Sequence, residues 1–95
     1  MPTKLSNEQR DSALKRLKGW SSTGEAITKT YAFTDFSEAF GFMARAALAA
    51  EKLDHHPDWS NSWNKVGVTL STHSAGGVTE LDIKLAEAMD RLAGR

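Results

Sequence analysis

Histidine is rare in this 95-residue chain, and two of its three histidines are adjacent. His55 and His56 precede Pro57 in the segment EKLDHHPDWSNSW, residues 51–63, and the third histidine is His73. Unperturbed imidazole has a pKa of about 6.5, so it gives and takes protons near neutral pH. A positioned proton transfer is typically worth about 10²- to 10⁴-fold in rate. The three histidines are therefore candidates for general acid–base chemistry.

A metal site is the main alternative for a histidine pair. Pro57 disfavours helical backbone at His56, so the preceding helix is predicted to end at the pair. Neighbouring side chains in extended backbone point to opposite sides, which makes His55 and His56 awkward ligands for one ion. No carboxylate or further histidine is spaced to complete a helical metal motif, and the chain has no cysteine. We therefore predict no metal here.

Three other residues are candidates for the same site, and each also has a structural explanation. Glu51 lies one turn before His55 on the same side of the helix, where position alone favours a solvated acid. Asp82 is the third residue after Thr79 and would complete a capping box at a helix start. Trp20 suits either the core or a platform for a ligand, and the core is the more common place for tryptophan.

The composition limits the function classes. The 12 basic and 12 acidic residues cancel, and no block of Lys or Arg offers a footprint for nucleic acid or an anionic membrane. No run approaches the roughly 18 apolar residues of a membrane-spanning helix, and residues 1–20 contain no signal-peptide core. We expect a single domain over residues 1–95, with no nucleic acid or membrane partner. It would be cytoplasmic, and also nuclear if the source is eukaryotic.

Helix starts are readable in the first half of the chain. Ser6 and Gln9 form a capping-box pattern before a short amphipathic helix. Residues 20–33 then read as a hairpin with a turn at SSTG. Asp35 followed by Glu38 opens a second helix, which can run to the histidine pair.

The second half predicts another hairpin and a last helix. A two-residue loop at residues 64–65 would pair Trp59 with Leu70. His73 would end the second strand, where an exposed strand-end histidine is an equally good explanation for it. Thr79 would cap the last helix. The order α-β-β-α-β-β-α predicts an α+β fold, a four-stranded antiparallel sheet with three helices packed on one face.

The second helix is apolar over more than half of its circumference, which is wider than one buried face requires. One stripe comprises Phe36, Phe40, Met43, Ala47 and Ala50, and the other comprises Phe42, Ala46, Ala49 and Leu53. We expect the Ala-rich second stripe to contact another subunit, with coverage by the first helix as the alternative.

The candidate residues share one spacing pattern along the chain. The pattern consists of Glu51, His55, His56, Pro57, Trp63, His73 and Asp82. It resembles the signature of the pterin-4a-carbinolamine dehydratases, also known as the dimerisation-cofactor family. The likeness extends to Trp20, DFSEAFGFMARAALAAEKLDHHP and NKVGVTLSTH, and it covers about residues 20–90.

This resemblance implies a fold and an activity. Family members have a four-stranded antiparallel sheet with helices on one face, and they form dimers and tetramers, the latter through helix contacts. They dehydrate 4a-hydroxytetrahydropterin to quinonoid dihydropterin, which recycles a tetrahydrobiopterin-type cofactor. They use no metal and no bound cofactor, so the pterin would be a substrate.

The resemblance also implies roles for individual residues. His55 and His73 would form the acid–base pair around the 4a-hydroxyl, His56 would mainly hold the pterin, and Glu51 would orient this cluster. The polar edge of the pterin would be lined by Asp54, Ser71 and Thr72, with Trp20 as a wall of the pocket. Asp82 matches the signature, and a structural role also explains its presence.

Two other functions remain open on the sequence. Some relatives stabilise the dimer of a transcription factor through the second helix, which would not require the histidines. A pterin protein of molybdenum cofactor metabolism is the other alternative, and it would retain pterin affinity while turning the carbinolamine over poorly.

Overall fold

The computed structural model describes residues 2–94, and their element order is the one predicted. The four strands form one antiparallel sheet in the order β1-β2-β4-β3. The helices are α1 (Asn7–Arg16), α2 (Phe36–Leu53) and α3 (Glu80–Ala93), and the strands are β1 (Ser21–Ser22), β2 (Ile27–Ala32), β3 (Asp58–Ser62) and β4 (Lys65–Leu70).

Alternate residues of the central strands are buried, which places all three helices on one face of the sheet. Ile27 and Tyr31 of β2 lie opposite Leu70 and Val66 of β4, and all four side chains are fully buried. Of the residues between them, all except the buried Val68 are at least partly open to solvent. This one-sided burial confirms the predicted two-layer α+β fold.

The helix starts follow the predicted caps. Ser6 and Gln9 form a reciprocal capping box at α1, and the Asp35 side chain accepts a 2.8 Å bond from the Glu38 backbone N–H at α2. Each cap satisfies backbone donors that a helix leaves unpaired at its start. Within residues 2–94, no helix combines the length and apolar character that a bilayer crossing would require.

The second hairpin turns one residue earlier than predicted. Its loop is Trp63–Asn64, so Trp59 pairs with Val68 and not with Leu70. Asn64 is held at the turn because its side-chain amide donates to the Phe33 carbonyl at 2.8 Å and its own carbonyl accepts from the Phe33 N–H. The one-residue shift of the loop moves each pair of opposite residues by two positions. Every strand side chain therefore stays on its predicted face of the sheet.

The apolar stripe of α2 that was expected to contact another subunit lies mainly in the core. Phe42 and Ala46 are fully buried, and the Phe42 ring lies 4.8 Å from Tyr31 and 5.1 Å from Phe33. The exposed apolar side chains are instead Phe36 and Phe40, at the start of the other stripe, and Leu48. Periodicity shows two adjacent stripes but not which one meets the sheet; the aromatic contacts of Phe42 decide it.

Candidate active site

The end of α2 sends the two neighbouring histidines in different directions. Asp54 caps the helix in the left-handed conformation, with φ of 51°, and its N–H bonds to the Ala50 and Glu51 carbonyls. The His55 N–H also bonds back to Ala50. The His55 side chain is 10% exposed, whereas that of His56 is 57% exposed. A left-handed aspartate carries backbone strain of a kind often found at functional sites.

Asp82 is the buried partner of His55. The Asp82 carboxylate has no exposed surface, and its Oδ1 lies 2.5 Å from His55 Nε2. Its Oδ2 accepts bonds from the Thr72 hydroxyl at 2.9 Å and from the Thr79 backbone N–H at 2.8 Å. The bond from Thr79 is the predicted capping-box contact. The same carboxylate therefore caps α3 and binds a histidine, two roles that sequence position presented as alternatives.

The second ring nitrogen of His55 is open to the surface. No described residue bonds to Nδ1. Within residues 2–94, the only buried side-chain polar atom without a partner is Asn64 Oδ1, so Nδ1 must retain some solvent exposure. His55 thus has one nitrogen held by a buried carboxylate and another that can exchange a proton with a bound molecule.

His56 and Glu51 form a second, exposed pair. His56 Nε2 lies 2.6 Å from Glu51 Oε1, and the Glu51 side chain is 75% exposed. Glu51 was expected to share a side of the helix with His55, but its partner is His56. The left-handed turn at Asp54 brings the chain back over the last helical turn, so the second histidine of the pair reaches Glu51.

His73 begins a short 3-10 turn, His73–Ala75, and does not end β4 as predicted. Its side chain is 81% exposed, and its Nε2 lies 3.9 Å from Oδ2 of Asp58, the first residue of β3. The preceding residue, Thr72, binds Asp82. His73 therefore lies at the same corner of the molecule as His55. Sequence reasoning missed Asp58, although the pairing of β3 with β4 carries it to this corner.

The three residues predicted to line the polar edge of the pterin differ in availability. Asp54 is exposed beside the histidines. The Ser71 hydroxyl donates to the Glu25 carbonyl at 2.9 Å, and the Thr72 hydroxyl is buried against Asp82 and Thr79. Of these three residues, Asp54 is the one whose side chain has no partner among residues 2–94.

The structure does not bring Trp20 to the histidines. Trp20 is 6% exposed, and its Nε1–H donates to Asp90 at 3.2 Å. Asp90 also accepts from Lys29 and from the Tyr31 hydroxyl. Asp90 lies eight residues beyond Asp82 on α3, about 12 Å along the axis at 1.5 Å per residue. Trp20 therefore belongs to the core at the other end of α3. In this structure it does not form the predicted wall of a pocket at the histidines.

Within residues 2–94, the histidines are not part of a metal cluster or of the three clefts described below. Within residues 2–94, His, Asp and Glu side chains nowhere gather in a group of three or more that could hold a metal ion. Three clefts of about 320–430 Å³ are lined by the helices and residues next to them, and none of the three includes a histidine. The histidine corner is a polar surface with one buried carboxylate beneath it.

Comparison with known proteins gives consistent results over nearly the whole chain. Residues 3–92 match the family model described as pterin 4 alpha carbinolamine dehydratase. A Nitrobacter winogradskyi protein, named provisionally as a pterin-4-alpha-carbinolamine dehydratase, is 59% identical over 98% of this chain and 94% of its own length. A Brucella ovis protein with the same provisional name is 57% identical over 96% of each chain.

Two solved structures share the fold. A crystal structure from Brucella melitensis, described as a transcriptional coactivator/pterin dehydratase, has a TM-score of 0.94 and 57% identity, covering 97% of this chain and 100% of that one. A pterin dehydratase-like protein, described as a RuBisCO assembly factor in the alpha-carboxysome, has a TM-score of 0.69 and 25% identity, covering 80% and 90%.

Proposed function

Because the chain belongs to the pterin-4-alpha-carbinolamine dehydratase family, we propose that it dehydrates 4a-hydroxytetrahydropterin to quinonoid dihydropterin by histidine acid–base catalysis. The observation that carries this proposal is the contact of His55 with the buried Asp82 carboxylate, at the corner of the molecule that also holds the exposed pairs His56–Glu51 and His73–Asp58. The product would return a tetrahydrobiopterin-type cofactor to its redox cycle.

The reaction needs two proton transfers at neighbouring atoms. The C4a–O bond breaks, the hydroxyl takes a proton and leaves as water, and the adjacent ring nitrogen loses a proton as its lone pair forms the new C=N bond. No net proton is gained or lost. Two imidazoles on opposite sides of the reacting carbon could perform both steps, each contributing about 10²- to 10⁴-fold.

His55 and His73 suit these roles for different reasons. His55 is held rigidly by Asp82 and has an open Nδ1, whereas His73 is exposed and close to the Asp58 carboxylate. We assign proton exchange at the reacting centre to both, without dividing acid from base. His56, paired with Glu51, and Asp54 would hold the polar edge of the pterin.

The direct test is the rate of carbinolamine loss. Wild-type protein should accelerate the fall in ultraviolet absorbance of freshly generated 4a-hydroxytetrahydropterin in stopped flow by far more than the same concentration of free imidazole. Lys15→Ala, an exposed change on the last turn of α1, should behave as wild type. If folded wild type matches free imidazole while still binding pterin, the dehydratase proposal is wrong and another pterin pathway, such as molybdenum cofactor metabolism, is favoured.

A second candidate function, binding of a protein partner, is supported by the exposed face of α2. Phe36, Phe40 and Leu48 are 51%, 58% and 72% exposed, and the two phenylalanine rings lie 5.9 Å apart. Exposed apolar side chains in one region favour a protein interface. The Brucella relative is described as a coactivator as well as a dehydratase. Homo-oligomer formation and a transcription-factor partner would both use this face.

The α2 face can be tested without reference to catalysis. If it assembles the protein, Phe36→Ser/Phe40→Ser should lower the particle mass measured by light scattering, because two large apolar contacts are lost at each interface. Lys15→Ser, an exposed change on α1, serves as the control. An unchanged mass in the folded double variant would show that α2 is not the assembly surface.

A further inference from the structure

The buried hydrogen bonds beneath His55 have only one consistent direction. Asp82 Oδ2 accepts the Thr79 backbone N–H at 2.8 Å. Thr72 has one hydroxyl hydrogen, which goes to Oδ2 at 2.9 Å. The 2.7 Å contact between the Thr72 and Thr79 hydroxyls must then have Thr79 as its donor. The Thr79 oxygen in turn accepts from the Leu81 N–H.

This chain of bonds is shielded from water along its length. Thr79 and Asp82 have no exposed surface, and Thr72 is 5% exposed. Water therefore has little access to replace either hydroxyl, and an unpaired buried group would be costly. The carboxylate has both oxygens occupied and little freedom to rotate. Its Oδ1 remains as a fixed acceptor facing His55 Nε2 at 2.5 Å.

We propose that Thr72 and Thr79 are positioning residues that lock the Asp82 carboxylate, so that the proton stays on Nε2 of His55 and Nδ1 becomes the nitrogen that exchanges protons with the substrate. The fixed acceptor at Oδ1 requires a donor at Nε2, and the open position of Nδ1 leaves it available. The orientation of the Asp82 carboxylate thus selects the tautomer of His55. This inference rests on the proposed function in one respect, namely that a substrate exchanges the proton with Nδ1.

The positioning role proposed for Thr72 differs from the role predicted from the sequence, in which Thr72 would line the polar edge of the pterin. Its hydroxyl faces the carboxylate and acts through Asp82 and His55. The location of Thr72 two residues after β4 explains the arrangement, since its backbone pairs with Gly77 in an isolated bridge. That bridge holds the threonine over the start of α3, where Thr79 and Asp82 lie.

Nitrogen-15 NMR of the histidine-labelled, ligand-free protein tests the tautomer directly. Across a pH titration, Nε2 of His55 should keep its hydrogen while Nδ1 gains and loses one. His56→Ala and His73→Ala spectra assign the His55 signals by elimination. A bare Nε2, or two nitrogens that never release a proton while the protein is folded, would overturn the inference. Neither readout requires dehydratase activity, so a wild type that binds pterin without turnover would refute the function alone.

The threonines are tested by a matched pair of variants. Thr72→Val keeps the side-chain shape but removes the hydroxyl, so the Nε2 hydrogen should exchange faster with water, the Nδ1–H tautomer should appear, and kcat should fall by about ten- to a hundredfold from misplacement. Thr72→Ser restores the hydroxyl and should restore both properties. If Thr72→Val is folded with the wild-type tautomer and exchange rate, the threonine is not a positioning residue.

Discussion

His55→Ala/His73→Ala is expected to lose nearly all acceleration of carbinolamine dehydration, a fall in kcat of about 10²- to 10⁴-fold. The two groups act on one bond-breaking event, so the double variant should be little worse than the more damaging single variant. Stopped-flow absorbance of 4a-hydroxytetrahydropterin measures the effect, and added free imidazole should restore part of the rate. Full activity in the folded double variant would exclude both histidines from the chemistry.

Folding must be checked separately for His55. Removing its ring leaves Asp82 Oδ1 buried without its partner, which costs about 1–3 kcal/mol and lowers the melting temperature by about 4–8 °C per kcal/mol for a domain of this size. His73→Ala should melt as wild type because its side chain is 81% exposed. His56→Ala, the exposed neighbour, provides the matched comparison. It should raise KM and leave kcat nearly unchanged if His56 only holds the pterin.

The fold was largely predictable because its signals are local. The caps at Ser6, Asp35 and Thr79 each depend on residues within a few positions of one another, and the strand pattern of residues 20–33 identified the first hairpin. The turn at Trp63–Asn64 was misplaced by one residue because bonds to the distant Phe33 hold it. Local patterns cannot report a contact of that kind.

The site was less predictable for the same reason. Spacing identified all three histidines and Asp82, but it could not pair them. The 2.5 Å contact of His55 with Asp82 joins residues 27 positions apart, and it depends on where α3 packs against α2. Trp20 failed as a pocket wall because its partner, Asp90, lies at the other end of the helix. A spacing pattern specifies residue types, and tertiary packing specifies partners.

Asp82→Asn should lower kcat by about 10²- to 10⁴-fold. This loss is comparable to that of the His55→Ala/His73→Ala variant, although only one side-chain group is changed. The two donors at Oδ2, the Thr72 hydroxyl and the Thr79 N–H, require the amide oxygen on their side. The amide NH₂ then faces His55 Nε2, which must become an acceptor and move its hydrogen to Nδ1. An Asp-to-Asn change behind the catalytic histidine of the Ser-His-Asp triad costs about 10⁴-fold by the same tautomer reversal.

Asp90→Asn provides the control, because it makes the same substitution on the same helix at a partly buried carboxylate with three donors. It should lower stability and leave kcat near the wild-type value, since neither Asp90 nor Trp20 lies at the histidine corner. Nitrogen-15 NMR should show the hydrogen on Nδ1 of His55 in Asp82→Asn and on Nε2 in Asp90→Asn. Wild-type kcat in a folded Asp82→Asn protein with the reversed tautomer would mean that His55 does not transfer the proton, and would move the acid–base role to His73 alone.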